Sequence, residues 1–267
     1  MIFLSGNGLL FFTCMFLFVA VNKTHAVTCN NINVGETIVS NNVIYTKVNR
    51  SMLDNYVTEG NETALETACT SGVMDMSSLF YFSGLNPDIS SWDTSSVDDM
   101  NKMFSGANLF DNDISNFDTS KVTRMEWMFN GASNFNQDIS NFNTSKVTRM
   151  DWMFNGASNF DKDISNWDTF KVTDMTAMFQ NALLFNQDIS NWDTSSVDNM
   201  TAMFQNALLF NQSLTNWCVK DNVVHWVFAG GSLMVSIPAF QPLWNGAGCN
   251  HTCYNEGLRN MTDNITY

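Results

Sequence analysis

The segment FNQDISNWDTSSVDNMTAMFQNALL, from Phe185 to Leu209, recurs in register through the middle of the chain every 25 residues, without insertion. An uninterrupted period of that length is what stacked supersecondary units produce, each too small to bury its apolar side except against its neighbours. The columns read off directly. Ile89, Ile114, Ile139, Ile164, Ile189 and Leu214 form one, and Trp92, Phe117, Phe142, Trp167, Trp192 and Trp217 an aromatic one. Val97 to Val197, Met100 to Met200, Met103 to Met203 and Phe110 to Phe210 follow at the same spacing. The two Met columns hold ten of the 17 methionines, so the methionine richness is a packing feature rather than a cofactor box.

Within a unit, Ile-x-x-Trp-x-Thr-x-x-Val has the spacing of a leucine-rich repeat. A short parallel strand is expected around Asn-Trp-Asp-Thr, and a short helical turn at Met-x-x-Met-Phe, where apolar residues fall at i, i+3, i+4. The fold class expected is a leucine-rich-repeat-like solenoid, with a triangular β-helix carrying the same columns as the alternative. Its expected parts are a signal peptide over 1–26, an N-terminal cap over 27–72, the solenoid over 73–217, and a C-terminal cap and tail over 218–267. In the first cap, alternation around Ser40-Asn41-Asn42 reads as a hairpin, and Asn61 as the N-cap of a short helix.

Leu9–Val21 is an apolar run of signal-peptide length, too short for a membrane span, and Thr24-His25-Ala26 places cleavage after Ala26. The stretch before it lacks Lys and Arg, and a lipoprotein signal at Cys14 is the competing reading. Export makes disulfides the expected state of Cys29, Cys69, Cys218, Cys249 and Cys253. Cys29–Cys69 is the natural bridge at one end, with two of the other three paired at the opposite end. A metal site at Cys249, His251 and Cys253 would have only three ligands. Sequons stand at Asn49, Asn61, Asn143, Asn199, Asn211, Asn250, Asn260 and Asn264.

Repeats of the form FNQDISNWDTSxVTxMxxMFxxA resemble those of the BspA-like leucine-rich-repeat surface proteins, a repeat also found in mycoplasma lipoproteins of unknown function and in proteins of marine microalgae. The match covers about residues 73–217. The resemblance implies a secreted or cell-surface solenoid without catalytic activity, some relatives being adhesins. An anchor or sorting signal of the bacterial members is not matched.

Function narrows further by chemistry. A formal charge of −14 excludes nucleic acid as a natural partner, and aromatic content of 13% with three prolines excludes a largely disordered chain. No catalytic histidine motif, nucleophile elbow or phosphate loop is present, so no enzyme is expected. Two surface features stand out. Asp93, Asp118, Asp168 and Asp193, interrupted by Asn143, form an acidic column, and Asp88, Asp113, Asp138, Asp163 and Asp188 a second. Hydrogen bonding to nearby N–H groups is one way to offset their repulsion; a row of calcium ions is the other. Trp127 and Trp152 occupy a column that elsewhere holds Lys102, Ala177 and Ala202, so they are expected side by side on the surface, with Arg124 and Arg149 beside them. An extracellular protein or glycan is the expected partner and no resident cofactor is expected. A passive coat protein is the alternative. Ice binding would need the Thr94–Thr194 column to face outward, and the mapping turns it inward.

Overall fold

A computed structural model describes residues 26–220, 222–233 and 242. Residues 1–25, on which nearly all of the expected signal peptide and Cys14 fall, and Cys249, His251, Cys253, Asn250, Asn260 and Asn264 lie outside the described residues.

The N-terminal part begins with a hairpin. Strand β1 (Thr37–Ser40) pairs antiparallel with β2 (Val43–Lys47). Asn41 and Asn42 between them have φ of 50° and 63°, which a two-residue hairpin loop requires and asparagine tolerates. Helix α1 (Arg50–Glu59), which the alternation had not suggested, starts where the Asn49 side chain accepts the Met52 N–H and stops at left-handed Gly60. Helix α2 (Glu62–Glu66) is capped in the same way by Asn61, which accepts from Ala64 N–H. Strand β3 (Ala68–Cys69) then lies parallel to β2. A Cys29–Cys69 disulfide closes a small core with Val27 and Tyr45. The Trp92 indole N–H donates to Leu65 O and ties α2 to the first repeat.

From there successive 25-residue units hydrogen-bond to one another. Met100, Lys102, Phe104 and Gly106 N–H donate to Arg124, Glu126, Met128 and Asn130 O, and the pattern repeats down to Asn206 N–H on Gly230 O. Parallel bridges mark the same rows, such as Asp99 with Arg124 and Asp174 with Asn199. The Ile, Val, Met and Phe columns are fully buried in one continuous core. Phe104, Phe129, Phe154, Phe179 and Phe204 stack with centroids 5.5–5.6 Å apart, each 4.0–4.1 Å from its partner in the Phe110–Phe210 column.

Two local expectations need correction. The backbone ladder runs through the Met-x-x-Met-Phe segment, not through Asn-Trp-Asp-Thr. In the latter, the buried Thr94, Thr119, Thr144, Thr169 and Thr194 hydroxyls bridge the units instead, each donating to a carbonyl of the next. Nor is Met-x-x-Met-Phe helical. Met103 N–H bonds to Met100 O and Ala107 N–H to Phe104 O, giving two turns per unit with positive φ at their third residues, Lys102 and Gly106. That is the backbone of type II turns. The left-handed residue aims its own N–H along the stack, so interunit bonds win over helix formation.

Candidate functional site

Trp127 and Trp152 occupy the third position of the first turn, at φ of 61° and 60°. Their column is left-handed throughout, from Ser78 and Lys102 to Ala177, Ala202 and Val227, although no residue in it is glycine or asparagine. The shared backbone places the two indoles one unit apart, and they stack with centroids 4.8 Å apart and planes 10° from parallel. The Lys102 ammonium lies 5.7 Å from the Trp127 ring centroid, a cation–π contact at the outer end of the stack. Ala177 one unit further is 1% exposed, whereas Ala202 is half-buried. Both indoles are half-buried rather than fully exposed, because each covers a neighbour.

Arg124 and Arg149 stand beside them in opposed ion-pair networks. Arg124 donates through Nε and Nη2 to the buried Glu126 and through Nη1 to Asp99 at 3.0 Å. Arg149 donates through Nε to the buried Asp151 at 2.8 Å and reaches Asp174 at 3.4 Å. Hydrogen bonding to Glu126 and to Asp151 respectively, and then the field of the paired acids, raises both guanidinium pKa values against the opposing effect of burial. Lys102, Glu126 and Asp151 are the site residues that column reading had missed. Acids two residues beyond each Arg were the available signal, hidden by the expectation of a helix, in which i and i+2 do not face each other. Glu126 Oε2 has no hydrogen-bond partner among the described residues.

The acidic columns cap turns. Asp118, Asp168 and Asp193 accept through Oδ1 from the N–H two residues on, at Ser120, Phe170 and Ser195, and Asn143 does the same for Ser145. Asp113, Asp138, Asp163 and Asp188 repeat the motif. Burial pushes the Asp93 carboxyl up, but the Ser71 and Ser95 hydroxyls, the Ser95 N–H and Lys121 together hold it below its ordinary value. Asp168 and Asp193 meet across a shallow cleft of about 240 Å³, with Asn166, Asn191, Ser165, Thr169 and Trp167. Among the described residues no group of three or more His, Cys, Asp or Glu side chains converges as a metal site would need.

Cys218 is disulfide-bonded as well. Asn49, Asn61 and Asn143 are exposed and use Oδ1, not the nitrogen that would carry a glycan, in their capping bonds. Asn199 and Asn211 are half-buried. No helix among the described residues is long and apolar enough to cross a membrane.

Comparison with proteins of curated function gave no match, and comparison with solved structures gave none. The family described as "Mycoplasma protein of unknown function, DUF285" matches residues 49–151 and again 134–232. Those two overlapping stretches take in the helical N-terminal segment and the stacked units, well over half the chain, and the protein belongs to that repeat family.

Proposed function

We propose that this is a non-enzymatic, secreted or surface-displayed protein that recognises an extracellular protein or glycan. On this reading the stacked units form a leucine-rich-repeat-like solenoid of the BspA-like kind, delivered by a signal peptide cleaved after Ala26, with glycans on exposed sequons. The observation that carries it is the Trp127–Trp152 stack. Two large aromatics are held in strained left-handed backbone on the outside of the stack, at positions where neighbouring units use Lys or Ala. A pure scaffold gains little there, whereas aromatic edges flanked by Lys102, Arg124 and Arg149 suit a contact hot spot. The coat-protein reading draws on the acidic columns, whose carboxylates are engaged in their own turns.

The test is the Trp127→Ala/Trp152→Ala double variant of the secreted chain, assayed on immobilised matrix proteins and a glycan array. Lost binding with an unchanged circular dichroism spectrum is the expected result. Binding at wild-type strength would refute recognition through this pair and leave the coat reading standing.

A further inference from the structure

We propose that Lys121, Lys146 and Lys171 form a binding edge for a linear anionic polysaccharide, sulfated or carboxylated, laid along the stacking direction. This goes beyond the recognition reading by naming a second surface, separate from the Trp127–Trp152 pair, and its ligand class. It rests on that reading only for the extracellular setting.

Each of these lysines is exposed and sits at the third position of a turn, closed by Val122, Val147 or Val172 N–H on the Thr three residues before. They therefore stand in a straight row, one per unit, spaced by the roughly 5 Å of adjacent strands. Two columns change together to make the row. The flanking units carry Ser96-x-Asp98 and Ser196-x-Asp198, whereas the three central units carry Lys121-x-Thr123, Lys146-x-Thr148 and Lys171-x-Thr173, all exposed at the Thr. The acid is removed where the cation is added. The interruption of the Asp column by Asn143 falls in the middle unit, which has no acidic residue from Ile139 through Met150.

The row is also left without ion pairs. Arg50, Arg124, Arg149 and Lys220 are each bonded to carboxylates, while Lys121, Lys146 and Lys171, like Lys47, Lys102 and Lys162, make no direct ion pair among the described residues, the Lys121 charge being felt at Asp93 without one. Three like charges this close repel, and a polymer with evenly spaced anions relieves that along its length. Phe170, 43% exposed, adjoins Lys171 in the chain and offers an apolar face to a sugar ring. Asp118 and Asp168 directly precede the turns that carry Lys121 and Lys171, and Lys121 lowers the Asp93 carboxyl, but the Asp118 and Asp168 carboxylates are each engaged by the N–H two residues on, at Ser120 and Phe170. Acids farther than a Debye length of about 8 Å are screened at physiological salt.

The experiment measures binding of the full secreted chain to a heparin oligosaccharide, with neutral dextran and an oligothymidylate of equal charge as comparators. The inference expects binding to the sulfated probe and not to dextran. With three cations engaged, affinity should fall about tenfold or more between low and physiological salt. Lys121→Gln/Lys146→Gln/Lys171→Gln should lose about the same factor, as should Thr123→Asp/Thr148→Asp/Thr173→Asp, which restores the acids of the flanking units. The Trp127→Ala/Trp152→Ala variant should keep heparin binding, which separates failure here from failure of the Trp site. Undiminished binding by both triple variants overturns the proposal. So does equal binding of the oligothymidylate. Absence of heparin binding, with wild-type self-association that the Lys variant abolishes, overturns it in favour of a second copy as partner.

Discussion

The left-handed backbone at Trp127 and Trp152 has a measurable consequence of unusual sign. An L-residue in that conformation costs about 1–2 kcal/mol relative to its right-handed form. Glycine does not bear that cost, but loses about 0.5–1 kcal/mol more chain entropy on folding than alanine. Replacing both tryptophans by alanine removes the stack, worth about 0.5–1.5 kcal/mol beyond burial, and keeps the strain. Replacing both by glycine removes the same stack and releases the strain. The Gly/Gly variant should therefore be the more stable of the two, by about 0.5–1 kcal/mol per site. Ala202, half-buried at φ 55° in the same column, supplies a control without any aromatic loss, and Ala202→Gly should be neutral or stabilising. Urea unfolding followed by circular dichroism reads the difference as a shift in midpoint at constant slope. If the alanine variants equal or exceed the glycine variants, the turn geometry assigned to this column is wrong, and with it the reason the indoles face one another.

Other outcomes follow from single bonds. Thr144→Val removes the hydroxyl donation to Asp168 O and should cost about 1 kcal/mol or more, and Thr119→Val removes the donation to Asn143 O and strands the Asn143 N–H that the hydroxyl accepts at 2.7 Å, for a loss of about 1–3 kcal/mol; a wild-type midpoint in urea titration for either variant would contradict the interunit threonine bonds. Asp93 is held below its ordinary value of 3.8, so the stability it confers is present above that pH and is lost as pH falls through its lower folded value. Wild type and Asp93→Asn should accordingly converge in acid and diverge at neutral pH, and a gap that does not change with pH would show that the carboxylate is not favoured by its partners. Cys29→Ser/Cys69→Ser opens a closure across 40 residues and should cost about 4 kcal/mol by chain entropy, read by thermal melting with and without reductant.

What the sequence made legible was whatever depends on period alone. The buried Ile, Val, Met and Phe columns, the inward Thr column and the adjacency of Trp127 with Trp152 need only the 25-residue spacing, since any stack with that repeat brings equivalent residues together. Backbone handedness within the unit was not legible. Gly106, Gly131 and Gly156, followed by Asn181 and Asn206, announce left-handed backbone at the second turn, but the first turn carries Lys102, Trp127, Trp152, Ala177 and Ala202, types that give no such signal. Met-x-x-Met-Phe then reads as a helix, and the ladder is assigned to the Trp segment, whose indoles in fact serve a side-chain role. Trp167, Trp192 and Trp217 each donate Nε1–H to the isoleucine carbonyl of the preceding unit. Phe117 and Phe142 fill the same column without that bond, so the hydrophobic period is kept while the polar link varies from unit to unit. The same reasoning bears on function: period locates a column, but only its departures mark a site. Trp in place of Lys or Ala, and Lys with Thr in place of Ser with Asp, are departures confined to the central units, where chemistry is layered on a stack whose core does not need it.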